Sequence, residues 1–153
     1  GGWTGEDVPF IRHVRRRLRD AGATGDVEFL PTLDGAERQA FLRSLSVLSV
    51  PGDPEAFGLY ILEALACGVP VVQPAHGAFV EVVEATGGGV LVPPGDPAEL
   101  AAGLAGLLGD RRRAAALGAT GREAVEQVFN EQTMARGIAE VCLHARAARA
   151  VGT

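Results

Sequence analysis

Apolar residues fall along this chain in two rhythms, short unbroken runs and longer spaced stripes. Four runs are rich in β-branched and other strand-forming residues: 27–30, 46–50, 69–73 and 89–92. None alternates cleanly between apolar and polar, and continuous runs of this kind suit strands covered on both faces, as in a parallel sheet. Between them the spacing turns helical. Residues 6–21 carry Val8, Ile11, Val14 and Leu18 on one face, with arginines on the other. Residues 34–45 hold Ala36, Ala40, Phe41 and Leu45, and 57–67 is apolar nearly all round. Helix and strand alternating at this rhythm predict right-handed βαβ units in an α/β fold, a Rossmann-like open parallel sheet with flanking helices.

After Val92 the strand pattern stops and the C-terminus reads as helical. Asp96-Pro97 opens a helix to Leu108, with Asp96 as N-cap and Pro97 at the first helical position. Residues 110–129 read as a second helix, weakened by Gly118 and Gly121. Asn130 caps a third, in which Met134, Ile138, Val141 and Cys142 form a stripe expected to contact the core. Arg111, Arg112 and Arg113 read as a solvated helix start. There is no internal repeat and no linker, so 1–153 reads as a single domain. Its opening, Gly1-Gly2-Trp3-Thr4, runs straight into a helix. A Gly-Gly pair beside a helix usually follows a strand, so the domain is expected to lack its first strands.

Composition narrows the classes. Of 153 residues, 47% are hydrophobic and 22% charged, enough for a substantial core. The net charge of −5 gives no support to a nucleic-acid partner. No stretch approaches the roughly 18 apolar residues of a membrane span. All basic residues are arginine, which excludes lysine chemistry within the chain. Cys67 and Cys142 lie far apart in apolar helical surroundings and read as free thiols of a reducing, cytoplasmic compartment. His13, His76 and His144 make no metal-ligand spacing, and no metal or cofactor is expected.

In an open parallel sheet, ligands bind beyond the carboxyl ends of the strands. Each run here ends in turn-forming residues: Pro31-Thr32, then Pro51 to Glu55, then Pro74-Ala75-His76-Gly77, then Pro93-Pro94-Gly95. All four turns are expected to line one crevice. The second is the most informative. Glu55 and Glu63 stand eight positions apart, the first before a helix and the second inside it, with Gly58 at the helix start. A helix N-terminus offers unpaired N–H groups and a favourable dipole to an anion such as phosphate, and glycine permits close approach. Glu63 sits among Leu59, Ile61, Leu62, Ala64, Leu65 and Ala66, where a buried carboxylate needs donors; sugar hydroxyls would serve. Read from the pattern alone, Glu63 also fits a wet helix edge, and Glu55 an exposed loop acid.

The segment from Glu55 to Val72, Glu-Ala-Phe-Gly-Leu-Tyr-Ile-Leu-Glu-Ala-Leu-Ala-Cys-Gly-Val-Pro-Val-Val, resembles the signature of group 1 retaining glycosyltransferases of the GT-B fold. The resemblance extends outward. Val27-Glu28-Phe29-Leu30 is similar to the family's Val-x-Phe-Leu strand, and 46–51 to the strand before its acid pair. Gly77 to Glu81 resembles its Gly-x-x-x-Glu loop, and Gly88 to Pro93 its last strand. Nearly the whole chain is covered.

The resemblance implies the C-terminal, donor-binding lobe of an enzyme transferring a hexose from a UDP- or GDP-sugar to an acceptor the sequence does not name. It implies that Glu63 holds the ribose hydroxyls, and that Phe57, Gly58 and Leu59 present backbone amides to the diphosphate or donor sugar. Glu55 would contact sugar hydroxyls near the reacting carbon, and residues near Leu30 and Pro31 would flank the base. Such enzymes work without metal, through electrostatic stabilisation of the departing diphosphate. The acceptor lobe and the family's diphosphate-neutralising Arg and Lys find no counterpart here, so the chain alone is expected not to catalyse transfer. At Gln73-Pro74-Ala75-His76 many relatives carry a small polar residue leading to Gly-Gly; His76 reads as a solvated loop residue or a sugar contact. The alternatives are a non-catalytic nucleotide-sugar-binding module, an α/β module with a vestigial acid pair, and another GT-B enzyme such as a nucleotide-sugar epimerase. With strands absent, either 27–30 moves in to pair with 46–50, or the uncharged edge at 46–50 stays open; the expectation is a homodimer joined through that sheet or by exchange of the N-terminal helix.

Overall fold

The run ending at Gln73 pairs as its composition predicts. β1 (Val71–Pro74) lies parallel to β2 (Gly89–Val92), in register from Val71 opposite Gly89 to Pro74 opposite Val92. A computed structural model describes residues 7–52 and 57–151, with side chains to 145. The chain divides into two compact units, Gly1–Ala40 and Phe41–Thr153.

The first unit contains α1 (Val8–Asp20), where Ile11, Val14 and Leu18 of the predicted apolar face are half-buried and Val8, at its first turn, is exposed. Pro9 near its start fits the fixed proline φ and missing N–H. Residues 27–30 do not form the expected strand. A strand needs a neighbour for its N–H and C=O groups, and the described part of this unit has no other extended segment. Phe29 is held locally instead, with the Arg15 guanidinium 4.9 Å above its ring.

The second unit is layered about β1. Val71 packs with Ile61, Ala64 and Leu65 of α3 (Leu59–Ala66) and Phe79, Val82 and Val83 of α4 (Ala78–Thr86). Val72, facing the other way, packs with Val92 and with Leu107 of α5 (Pro97–Gly109). Burial on both faces is why these strands read as unbroken apolar runs. Residues 46–50 contribute a single parallel bridge, Leu48 to Val71. α2 (Gly35–Ser44) precedes that bridge. The helix α4 was not anticipated. Glu81, expected in a loop, lies in its first turn, and Phe79, Val82, Val83 and Thr86 form its buried face.

The glycines expected to weaken α6 (Arg111–Val128) are its packing surface. A Cβ on Gly121 would meet Leu65 Cδ2 at 2.6 Å and Gly88 Cα at 2.8 Å, so only glycine lets α6 lie against α3 and β2. The lost helix propensity, about 1 kcal/mol per glycine, is offset by that close approach. α7 (Glu131–Val151) departs further from expectation: Met134, Ile138 and Val141 are 64%, 58% and 69% exposed. The stripe exists, but the described residues do not bury it. No helix among the described residues is long and apolar enough to cross a membrane.

Candidate functional site

α3 ends in a turn that feeds β1, and packs along it, so its N-terminus lies at the carboxyl end of that strand. Gly58 opens the helix with φ 64° and ψ 34°, a left-handed conformation costly for a side chain bearing Cβ. The first intrahelical bond runs from Ile61 N to Gly58 O at 2.9 Å, so the amides of Gly58 and Leu59 precede the ladder. Phe57 and Leu59 are 75% and 66% exposed, while Gly58 is buried. What these three residues bring together is therefore backbone rather than an apolar side-chain pocket.

Glu63 stands one turn after Leu59 and shares its outward face, whereas Ile61, Ala64 and Leu65 point into the core. It is half-buried, at the wet edge of an apolar helix rather than inside the core. Glu55 lies outside the described residues. Leu30 is half-buried and Pro31 exposed, both in the first unit.

Beyond the strand ends a crevice of about 740 Å³ opens between Pro51-Gly52, Pro74, His76, Pro93-Pro94 and the Gly95-Asp96 start of α5. Three of the four predicted turns line it; Pro31-Thr32 belongs to the other unit. Asp96 Oδ1 accepts from Ala98 N and Glu99 N at 2.9 and 3.1 Å, the predicted N-cap. His76 is not the solvated loop residue considered above. It is half-buried, its ring centroid 5.2 Å from that of Phe79, and its Nδ1 is buried without a partner.

The sheet ends abruptly at this crevice. Leu48 N donates to Pro70 O and Val72 N to Leu48 O, both at 3.0 Å. A parallel ladder would continue with an N–H from residue 74 to Val50 O, but Pro74 has none. Val50 O accepts from Gly52 N instead, at 2.9 Å, and Val50 N donates to the side chain of Gln73, 3.3 Å from Oε1. Gln73 is fully buried, and its Nε2 has no partner. Sequence reading noted this residue only as a departure from a small-residue pattern. Its signal was a lone amide closing a buried apolar run just before a proline.

Comparison with known proteins identifies the family. The model of the family "Glycosyl transferases group 1" matches residues 12–124. The chain belongs to this family. A D-inositol 3-phosphate glycosyltransferase of Salinispora arenicola is 40% identical over 110 residues, 72% of this chain and 25% of that protein. A GDP-mannose-dependent alpha-(1-6)-phosphatidylinositol monomannoside mannosyltransferase of Mycolicibacterium smegmatis is 31% identical over 92% of this chain and 39% of its own length. The crystal structure of Anabaena HepE in complex with UDP and glucose superposes with a TM-score of 0.84 at 25% identity, over 94% of this chain and 39% of that one. The group 1 chain described here thus has the α/β fold of GT-B glycosyltransferase C-terminal domains, and spans about a quarter to two fifths of such relatives.

Proposed function

We propose that this chain is the donor-binding lobe of a retaining glycosyltransferase that transfers a hexose from a UDP- or GDP-sugar. The observation that carries the reading is the left-handed Gly58 at the start of α3, beyond the carboxyl end of β1, with Glu63 one turn after Leu59 on the outward face of that helix. In this reading the amides of Phe57, Gly58 and Leu59 face the diphosphate or sugar, and Glu63 accepts from the ribose hydroxyls. Glu55 acts on the donor sugar near its reacting carbon. The HepE complex with UDP and glucose supports a UDP-sugar, and the GDP-mannose dependence of the mycobacterial relative supports GDP as the other candidate.

Electrostatics at the helix terminus stabilises the departing diphosphate, so neither metal nor cofactor enters the reading. The acceptor would come from a second lobe, and transfer would need both. Free Cys67 and Cys142 fit a reducing, cytoplasmic compartment. Two copies joined through the edge at 46–50 complete the proposed assembly.

Titration calorimetry with UDP and GDP tests the donor assignment. Glu63→Ala should weaken nucleotide affinity by roughly tenfold or more, the scale of a charged hydrogen bond worth about 1.5–3 kcal/mol. An unchanged affinity would remove the ribose role. EDTA should leave the binding unchanged.

A further inference from the structure

Only two polar side chains among the described residues are counted with the buried core, and they are satisfied very differently. Thr86 donates to Val82 O at 2.7 Å and accepts from Gly88 N at 3.3 Å. Gln73, fully buried, makes one bond to Val50 N and leaves Nε2 orphaned. As a stabilising device this is poor. Burying an unpaired amide donor costs more than an apolar side chain of the same size would. What the carboxamide achieves is local. Pro74 stops the main-chain ladder, Gln73 Oε1 takes the Val50 N–H, and Val50 O is left to turn Pro51-Gly52 away from the sheet. Those two residues form one wall of the crevice that Pro74 and His76 also line.

We propose that Gln73 is a positioning residue for the crevice at the strand ends, whose Pro51-Gly52 wall lies a few residues before Gly58 in the chain, and through that wall for the donor site. With Pro74 it ends the sheet one rung early and sets where Pro51-Gly52 stands, and so the width of the crevice at the strand ends. This rests on the donor-binding reading above. Gln73 itself does not touch ligand, since its carboxamide is closed off from solvent.

The test compares affinity with folding. Gln73→Leu keeps the volume but cannot accept the Val50 N–H; Gln73→Glu keeps an acceptor oxygen. Pro74→Ala supplies the missing N–H and lets the ladder run on to Val50 O. UDP-glucose affinity is measured by calorimetry on each protein well below its melting temperature. Gln73→Leu and Pro74→Ala, by moving the Pro51-Gly52 wall, should each weaken it on the order of tenfold, about 1.4 kcal/mol, and Gln73→Glu should retain it within about threefold. A merely structural role would lower the melting temperature and leave the affinity of the folded protein unchanged; that result for both Gln73→Leu and Pro74→Ala overturns the proposal. If Gln73→Glu fails to fold, those two variants decide. If the wild-type chain binds no nucleotide, the donor reading fails separately. Amide exchange then decides the positioning claim: Val50 N–H should lose protection in Gln73→Leu, and unchanged protection would refute it.

Discussion

α3 and α7 both carry an apolar face that the sequence announces, and they meet opposite fates. In α3 the face is covered on all sides: Ile61, Ala64 and Leu65 are fully buried against β1, α4 and the glycine surface of α6. In α7 the stripe of Met134, Ile138 and Val141 stands mostly exposed along a groove that also takes in Leu62, Val128 and Phe129. Periodicity reports that a face exists. It does not report what covers it. Coverage depends on neighbours, and α3 has a strand, a helix and three closely placed glycines within this chain.

The largest effect should come from opening the covered face. Leu65→Ala removes a fully buried side chain wedged between Gly88 and Gly121, and glycines cannot move in to fill the space. The expected loss is about 3 kcal/mol, read as a fall in the urea midpoint at unchanged slope. A loss below about 1 kcal/mol would mean that α6 collapses onto α3, and that the covered helix is less fixed than its packing implies.

A smaller effect should come from the joint that launches α7. Asn130 Oδ1 accepts from Thr133 N at 2.8 Å, while its Nδ2 donates to Glu126 O and Gln127 O at 2.9 Å, ending one helix and starting the next. Asn130→Ala should cost about 1 kcal/mol of helix stability. Because α7 buries little of its stripe, the loss should appear as reduced helical circular dichroism, with the melting of the α3–β1 core nearly unchanged. A matching fall in core stability would show that α7 is coupled to the core after all.

What was legible follows the same division. The helix ends were readable because their chemistry is local: Asp96 before Pro97, Asn130 before α7 and Gly58 before α3 all act within three or four residues of the chain. The strands at 69–73 and 89–92 were readable because both faces are packed within this chain, fully along β1 and partly along β2. The strand at 27–30 was not, because a strand needs a partner that sequence rhythm does not supply. Gly118 and Gly121 looked like weaknesses because their compensation comes from Gly68, Leu65 and Gly88, far away in sequence. The way Gln73 and Pro74 end the sheet was not legible, since it depends on which N–H the next rung requires.

The smallest expected effect on stability is also the sharpest probe of the uncovered face. Ile138 is 58% exposed, and Ile138→Lys should change the stability of the folded chain by no more than about 0.5 kcal/mol. Its effect on association is another matter. Contiguous exposed apolar side chains drive association, and Met134, Ile138 and Val141 lie on one helical face beside an open groove. Two surfaces therefore compete to join copies of this chain: this stripe and the edge at 46–50, where Leu48 bridges Val71. A lysine at 138 places a charge in the first and leaves the second untouched. Light scattering after size exclusion at high micromolar concentration separates them. With the contact at the proposed 46–50 edge, Ile138→Lys should leave the dimer intact at unchanged melting temperature. A shift from dimer to monomer in the variant would move the contact to the stripe, and a wild-type monomer would show that neither surface suffices to join two copies.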